Sequence, residues 1–187
     1  CNDNTKIICN KNNLRQDFNL PKEGFIFTCF NNNYKITPNE FEIWMSLLKK
    51  IKGSVIWLLK TNEFSMRNLH KEAIKRNVDP NRLIFADIMP LDKHLARHSL
   101  GDLALDTFNC NGGTTTSDAL WAGLPVLAKI GQSFPARVSA SLLSSIGLPE
   151  LVTYSESEYE EKALHIARNP EEILRLKSKL NKLKETS

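Results

Sequence analysis

The chain has 187 residues, of which 41% are hydrophobic and 25% are charged, a balance typical of a folded globular domain. Its formal net charge of +4 is small and diffuse, whereas a nucleic-acid-binding face needs clustered basic residues. No apolar run reaches the roughly 18 residues of a membrane span, and no signal peptide opens the sequence. The composition therefore disfavours nucleic acid and membrane as partners, and it is compatible with an anionic ligand.

The four cysteines, Cys1, Cys9, Cys29 and Cys110, show no CxxC or other metal-ligand spacing. Two of them lie in or beside predicted strands. We therefore expect reduced thiols in a cytoplasmic protein rather than a disulfide framework. Because the sequence starts CNDN, without a methionine, we also expect it to be a piece of a longer protein.

The first predicted elements lie between residues 1 and 53. Residues 1–24 are rich in Asn and Lys with weak periodicity, which indicates an extended lead-in or linker. The apolar run FIFTCF at 25–30 predicts a buried strand. The following helix has its own start signal, with Thr37 as N-cap, Pro38 in the first turn and Glu40 closing a capping box.

The alternation of strand and helix then repeats to the end of the chain. Further strands are predicted at 54–60, 82–87, 102–106, 125–129 and 150–153. Further helices are predicted at 65–77, 91–100, 117–123, 133–147 and 155–169, with a last one from residue 170. Nearly continuous apolar strands indicate that helices cover both faces of the sheet. The predicted fold class of residues 25–187 is therefore α/β, a doubly wound parallel Rossmann-like sheet of about six strands.

The stretch NCNGGTTTSDALWAGLPVL at 109–127 crowds small hydroxyl side chains into the joint between the fourth strand and the next helix. In open parallel sheets, ligands lie outside the carboxyl ends of the strands, near the switch in strand order. Glycine permits close approach of the backbone, and a helix N-terminus favours phosphate. Capping needs only one hydroxyl, so we favour phosphate binding over simple capping. The joint has neither the P-loop lysine nor a GxGxxG after the first strand, which disfavours an ATPase or a nicotinamide enzyme.

This stretch, with FNNNYKITP (30–38) and LGDLALDT (100–107), resembles the C-terminal catalytic lobe of the O-linked N-acetylglucosamine transferase family, which includes SPINDLY-like proteins. The resemblance covers about residues 25–180, in the same order and spacing. Members are GT-B glycosyltransferases with two Rossmann-like lobes, usually preceded by tetratricopeptide repeats, and their donor binds mainly to the C-terminal lobe. The resemblance thus implies a glycosyltransferase, and we expect this piece alone to bind donor and to be inactive in transfer.

Lys35 is the catalytic residue that the resemblance implies. It matches the family lysine that neutralises the leaving phosphate, and Asn32 falls where animal enzymes carry glutamine. A positioned cation can stabilise the negative charge on a departing nucleoside diphosphate without a metal. From the residues alone, the simpler interpretation is a solvated lysine before a helix.

The resemblance also implies donor-binding roles within the joint. Thr114 and Thr115 match diphosphate-binding threonines, and Asp118 matches the acid that accepts hydrogen bonds from the ribose hydroxyls. Gly113 stands where animal enzymes carry histidine, whereas SPINDLY-like and many bacterial relatives have a small residue followed by three threonines. The rest of the expected donor-binding set in the joint is Gly112, Gly113 and Thr116.

The nucleobase of the donor is expected beside the third strand, next to DIMPLDKHLARH at 87–98. Met89 aligns with a backbone contact of the family, and His94 and Arg97 align with residues near the nucleotide. Arg97 is expected to stack on the base, since a planar guanidinium suits stacking. A polar helix face in water is the alternative for His94 and Arg97. Leu91 replaces a lysine that contacts the ribose in animal enzymes, which leaves the base open.

The leading hypothesis is the donor-binding half of a metal-independent, inverting, bacterial-type protein O-glycosyltransferase that moves N-acetylglucosamine from UDP-GlcNAc to Ser or Thr. The alternatives are a SPINDLY-like O-fucosyltransferase using GDP-fucose, a related lobe that glycosylates asparagine or a small molecule, and a non-catalytic nucleotide-sugar-binding module. No cofactor or metal is expected besides the donor substrate. The expected partners are an acceptor protein or peptide, and the N-terminal GT-B lobe and tetratricopeptide repeats of the parent chain. Arg137 is expected either to support the phosphate loop or to lie on the surface.

Overall fold

The structure is a computed structural model that describes residues 5–9 and 13–184. Its centre is a parallel sheet of six strands in the order β3-β2-β1-β4-β5-β6. The strands are β1 (Ile26–Cys29), β2 (Val55–Leu59), β3 (Leu83–Ala86), β4 (Leu103–Leu105), β5 (Val126–Lys129) and β6 (Val152–Thr153). The predicted doubly wound α/β fold is confirmed. The strand order reverses between β1 and β4, which makes their carboxyl ends the switch point of the sheet.

Both faces of the sheet are buried, as the apolar strands predict. Successive side chains of a strand point to opposite faces, and Phe27 and Ile56 belong to the large hydrophobic core whereas Ile26 and Trp57 belong to a smaller one. Trp57 is fully buried, and its ring centroid lies 5.1 Å from that of Phe30. Each full burial of a large apolar side chain contributes about 1.5–3 kcal/mol, so the two cores fix the strands from both sides.

Two of the helices begin at the capping residues that the sequence indicates. The helices are α1 (Pro38–Lys50), α2 (Glu63–Lys75), α3 (Leu91–Arg97), α4 (Thr114–Trp121), α5 (Val138–Ser145), α6 (Glu156–Arg168) and α7 (Pro170–Lys184). The predicted capping box of α1 is confirmed, with Thr37 N donating to Glu40 Oε1 at 2.9 Å. At α6, Ser155 Oγ accepts from Glu158 N at 3.1 Å. Such caps stabilise a helix by about 1 kcal/mol each.

The helix at the joint begins earlier than the sequence pattern predicts. Residues 117–123 were expected to be helical, but α4 begins at Thr114. The run of threonines is therefore the first turn of the helix and not a loop before it. The predicted helix at 65–77 likewise begins at Glu63, because Asn62 Oδ1 accepts from Ser65 N at 2.8 Å and caps it.

The segment before β1 packs against the sheet. Residues Arg15–Phe18 form a 3-10 turn, and Leu20 is buried in the smaller core. Arg15 Nη2 lies 3.3 Å from Asp102 Oδ2, beside the start of β4. These contacts correct the expectation of a linker for residues 13–24; residues 1–4 and 10–12 lie outside the described ranges.

Two sequence-based expectations concern thiols and membranes. Cys9, Cys29 and Cys110 are free cysteines, and Cys1 lies outside the described residues. Burial raises the pKa of the Cys29 thiol to about 12, which keeps this thiol protonated and unreactive. In the part of the chain that the structure describes, no helix has the length and apolarity to cross a membrane.

Candidate functional site

Two buried polar residues meet at the switch point of the sheet. Asn31 follows β1 and Asp106 follows β4, and neighbouring parallel strands bring their carboxyl ends to the same edge. Asn31 Nδ2 donates to Asp106 Oδ1 at 2.9 Å and to Thr107 Oγ1 at 2.9 Å. Asn31 is 4% exposed and Asp106 is 2% exposed. The edge of the sheet therefore carries a buried polar network directly under the joint.

Asp106 closes the loop between β4 and α4. Its Oδ1 accepts from Thr107 N at 2.9 Å and from Gly112 N at 2.8 Å, which are the two ends of that loop. Burial raises the pKa of the Asp106 carboxyl to about 6, although hydrogen bonds such as that from Gly112 N favour its ionised form. Because one oxygen holds both ends, Asp106 fixes where α4 begins.

The three threonines of the joint face different surroundings. Thr115 Oγ1 donates to Asn31 Oδ1. The Thr116 hydroxyl is buried and lies 2.8 Å from Ser139 Oγ. Thr114, at the first position of α4, is exposed. The donor-binding role expected for Thr116 is therefore corrected, because its hydroxyl is buried against Ser139 of α5. Thr115 is hydrogen-bonded to Asn31, and Thr114 faces solvent.

The two glycines of the joint differ in the space around them. A Cβ atom at Gly112 would collide with Thr115 Oγ1 and would lie 2.7 Å from Thr116 Oγ1 and 2.8 Å from Asn31 Oδ1. At Gly113, the nearest atom to such a Cβ is a methyl carbon of Val138 at 4.0 Å. Gly112 is therefore required by close approach of the network, whereas Gly113 leaves open space beside the first turn of α4.

Lys35 connects the end of β1 to the joint. It lies in a 3-10 turn, Asn33–Lys35, and its Nζ donates to the carbonyl oxygen of Asn111 at 3.0 Å. Asn111 is itself held by its Nδ2, which donates to Thr107 O at 2.7 Å. The ammonium group thus lies against the loop that leads into α4. Asn32, just before the turn, is exposed.

The loop after β3 and helix α3 hold the residues expected near a nucleobase. Met89 is half-buried in this loop. Arg97 is 1% exposed; its Nη1 donates to Asp87 O at 2.7 Å and its guanidinium lies 4.6 Å from the Phe30 ring centroid. This placement corrects the stacking role expected for Arg97, because its guanidinium is buried against protein. Its Nη2 lies 2.6 Å from His94 Nδ1, so Arg97 positions the His94 ring.

His94 and His98 are held as neutral rings. Burial lowers the pKa of His94 to about 3, with smaller contributions from His98 and Arg97. Burial also lowers the pKa of His98 to about 4, and His98 Nδ1 donates to His94 O at 2.8 Å. Since Arg97 can only donate, His94 Nδ1 accepts from it and the proton of the neutral ring lies on Nε2. The half-buried His94 ring is therefore a hydrogen-bond donor.

Asp118 has a cationic partner that no sequence motif indicates. Lys6 Nζ lies 2.5 Å from Asp118 Oδ1, and the two side chains are 12% and 6% exposed. The Lys6 carbonyl oxygen also accepts from Trp121 Nε1 at 3.1 Å. Asp118 is one helical turn beyond Thr114, so this ion pair lies on α4 close to the joint.

Two remaining expectations concern Arg137 and metals. Arg137 is exposed, and its Nη1 donates to Gly131 O at 3.3 Å, which fits the surface alternative. Among the residues that the structure describes, no three His, Cys, Asp or Glu side chains are grouped as a metal site.

Sequence reasoning missed several residues that shape the site. Asp106 stands directly after β4 and Asn31 stands two residues after β1, and this position at the end of a buried strand is the signal that could have identified them. Ser139 and Lys6 carry no comparable signal, since each meets the joint only through the tertiary fold. The missed residues are Lys6, Asn31, Asp106, Asn111 and Ser139.

Comparison with known proteins places this chain among glycosyltransferases. The family model described as Glycosyl transferase family 41 matches residues 4–187. Over 167 residues the chain is 36% identical to the probable UDP-N-acetylglucosamine–peptide N-acetylglucosaminyltransferase SEC of Arabidopsis thaliana, covering 89% of this chain. It is 31% identical over 169 residues to the probable UDP-N-acetylglucosamine–peptide N-acetylglucosaminyltransferase SPINDLY of Solanum lycopersicum, covering 86% of this chain.

A solved structure has the same fold over most of the chain. It is a mutant of the Thermobaculum terrenum O-GlcNAc transferase, with a TM-score of 0.84 and 31% identity over 87% of this chain. The chain spans 17% and 18% of the length of the two plant relatives, and 32% of the solved bacterial chain. The similarity therefore concerns one lobe of longer proteins.

Proposed function

This chain belongs to glycosyl transferase family 41, and we propose that it is the donor-binding lobe of a protein O-glycosyltransferase. The proposed reaction moves N-acetylglucosamine from UDP-GlcNAc to a Ser or Thr hydroxyl. One observation carries the proposal: at the switch point of the sheet, Lys35 lies against the loop that leads into α4, with its Nζ 3.0 Å from Asn111 O. The names of the relatives, which include UDP-N-acetylglucosamine and peptide, support this donor and acceptor.

The donor diphosphate is proposed to lie over the first turn of α4. The N–H groups of a first helical turn have no partner within the helix, and the dipole favours an anion there by about 0.3–1 kcal/mol when exposed and about 2 kcal/mol when partly buried. Thr114 offers an exposed hydroxyl at this turn, and Gly113 leaves space beside it. Charge-assisted hydrogen bonds from these groups add to the dipole.

Lys35 is proposed to stabilise the leaving group. During transfer, the bond from the sugar C1 to the diphosphate oxygen breaks while the bond to the acceptor oxygen forms on the opposite face of the sugar. The electron pair of the broken bond goes to the diphosphate, where negative charge increases, and the proton of the acceptor hydroxyl is released to solvent. A cation already fixed at the joint stabilises this charge without reorganisation. We propose that Lys35 and the α4 terminus together make a metal ion unnecessary for this step.

The nucleoside is proposed to bind across α3 and α4. Met89 would offer backbone groups to the base, and His94 Nε2–H would donate to a base carbonyl. Asp118 would accept from the ribose hydroxyls. Arg97, buried behind His94, would act by holding that ring and not by stacking on the base.

A second candidate donor is GDP-fucose. The small Gly113 and the three threonines after it match the SPINDLY-like pattern, and the open space beside Gly113 fits that branch. For either donor, we propose that the acceptor side of the cleft comes from the N-terminal lobe of a longer cytoplasmic chain that also carries tetratricopeptide repeats.

Calorimetric titration of this chain with UDP, GDP, UDP-GlcNAc and GDP-fucose tests the proposal. We expect UDP and UDP-GlcNAc to bind, and Lys35→Met to weaken UDP about tenfold or more. Lys52→Met is the matched control, because Lys52 is exposed on the turn before β2 and should leave the dissociation constant unchanged. Preference for GDP ligands would favour the fucose alternative. Binding to none of the four would overturn the donor-lobe proposal.

A UDP affinity that Lys35→Met leaves unchanged would overturn the assignment of Lys35 alone. A further measurement separates an enzyme from a binding module. If the parent chain binds UDP-GlcNAc but transfers no sugar to any Ser- or Thr-containing peptide, the non-catalytic alternative holds.

A further inference from the structure

We propose that Lys6 is a positioning residue of the nucleoside site: its ammonium group fixes the orientation of the Asp118 carboxylate so that this carboxylate can accept hydrogen bonds from the ribose hydroxyls. This inference rests on the proposed function, because it concerns the same donor site. It assigns a role to the segment 5–9, which neither the sequence motifs nor the resemblance singled out.

The segment 5–9 connects the two helices on which a nucleoside would lie. Trp121 Nε1 of α4 donates to Lys6 O at 3.1 Å, and Cys9 N donates to Asp92 O of α3 at 3.2 Å. The first anchor lies beside Asp118, and the second lies at the start of the helix that carries His94. A segment tied by its backbone at both ends forms a fixed wall between the ribose side and the base side.

Asp118 needs a partner that compensates its burial and fixes the direction of its carboxylate. Its side chain is 6% exposed, and burial of a charged group is costly unless the group is paired and hydrogen-bonded. Lys6 Nζ, 2.5 Å from Oδ1, supplies the missing charge. Lys35 is engaged elsewhere, at Asn111 O. The ion pair uses one lone pair of Oδ1, and the two oxygens of a carboxylate offer about four, so acceptor capacity for ribose hydroxyls remains.

The experiment compares Lys6→Met with Lys6→Arg in calorimetric titrations of the chain with UDP, 2′,3′-dideoxy-UDP and inorganic pyrophosphate. Lys6→Met keeps the length of the side chain and removes its charge. We expect it to weaken UDP about tenfold, to weaken the dideoxy analogue less than twofold, and to leave pyrophosphate unchanged. Lys6→Arg restores the charge and should stay within about threefold of the original UDP affinity. Lys22→Met, at an exposed position of the same region, is the matched control.

A double-mutant cycle tests whether Lys6 affects UDP binding through Asp118. In an Asp118→Asn background, Lys6→Met should have no further effect on UDP affinity, because the carboxylate that it positions is gone. Thermal melts of all variants separate folding from binding. If Lys6→Met lowers the melting temperature and leaves UDP affinity unchanged, the ion pair is structural only and the inference is wrong. If Lys6→Met tightens UDP binding, Lys6 covers the site instead of positioning it, and the inference is also wrong.

Failure of the proposed function gives a different result. The unmodified chain would then bind neither UDP nor GDP, and Lys6 would have no nucleoside site to serve. Should GDP bind in place of UDP, the same comparison applies with GDP and its dideoxy analogue.

Discussion

Asn31 Nδ2 donates to Asp106 Oδ1 at 2.9 Å, and this bond joins the carboxyl end of β1 to that of β4 at the switch point of the sheet. The same amide group accepts from Thr115 Oγ1, in the first turn of α4. Asn31 therefore contacts both the base of the joint and the helix that leaves it. An amide is suited to this place because it can donate to a carboxylate and accept from a hydroxyl at once.

Asn31→Ala should destabilise the protein by about 1–3 kcal/mol, because it leaves buried polar partners without their hydrogen bonds. Urea unfolding followed by circular dichroism measures this change. The matched control is Asn32→Ala, one residue further on and exposed, which should stay within about 0.5 kcal/mol. Equal stabilities for the two variants would show that the buried network contributes nothing to folding.

Gly112→Ala and Gly113→Ala should differ strongly in their effects on stability and on UDP binding, although the two positions are adjacent. A Cβ at residue 112 would lie 2.7 Å from Thr116 Oγ1 and 2.8 Å from Asn31 Oδ1, whereas at residue 113 the nearest atom is 4.0 Å away. Overpacking of this kind typically costs about 1–3 kcal/mol. We expect Gly112→Ala to lower the melting temperature and to weaken UDP binding, and Gly113→Ala to change neither by much.

If Gly113→Ala lowered the melting temperature and the UDP affinity more than Gly112→Ala does, the Gly113 side of the joint would be the crowded one. A loss of UDP affinity in Gly112→Ala with an unchanged melting temperature would instead locate the collision in the bound state.

The sequence was sufficient to predict the strands, the helices and the position of the joint, because these follow from local periodicity and capping. The directions in which individual side chains point were harder to predict. A run of three threonines does not show that Thr116 faces Ser139, because a helix turns by about 100° at each residue and the partner lies in another element. The charged, planar side chain of Arg97 suggested that it binds a ligand. In the fold, however, its guanidinium is buried against the aromatic rings of Phe30 and Trp57. Lys6 contacts a residue 112 positions away, and no local pattern encodes such a pair.

Asp106 should make stability fall as the pH rises from about 4 to about 6. Burial raises its pKa from 3.8 to about 6 in the folded protein. In this window the folded state binds more protons than the unfolded state, so the free energy of unfolding decreases with pH, by roughly 3 kcal/mol at most. Asp106→Asn keeps an acceptor oxygen at this place and does not titrate.

The check is urea unfolding of the unmodified chain and of Asp106→Asn at several pH values. We expect the free energy of unfolding of the variant, minus that of the unmodified chain, to increase between pH 4 and pH 6. A difference that stays constant across this range would mean that Asp106 has an ordinary pKa in the folded protein.

His98 should make stability change with pH in the direction opposite to that caused by Asp106. Burial lowers the pKa of His98 from 6.5 to about 4 in the folded protein. The contribution of the neutral ring to the free energy of unfolding is therefore fully present above pH 6.5 and is lost as the pH falls towards 4. The unfolded state then binds the extra proton, at a cost to stability of roughly 3 kcal/mol at most. His98→Asn keeps a side-chain donor near His94 O, which now accepts from His98 Nδ1 at 2.8 Å, and it removes the titration.

We therefore expect His98→Asn to lose less stability than the unmodified chain between pH 6.5 and pH 4, in the same urea experiment. His165→Asn is the control, because His165 is an exposed residue near the end of α6, and its acid profile should follow that of the unmodified chain. His94 retains its own lowered pKa in His98→Asn, since burial is the main cause of the shift, so part of the acid sensitivity should remain. If the His98→Asn profile matched the unmodified one, His98 would have to be accessible to protons in the folded protein, contrary to its burial at 2% exposure.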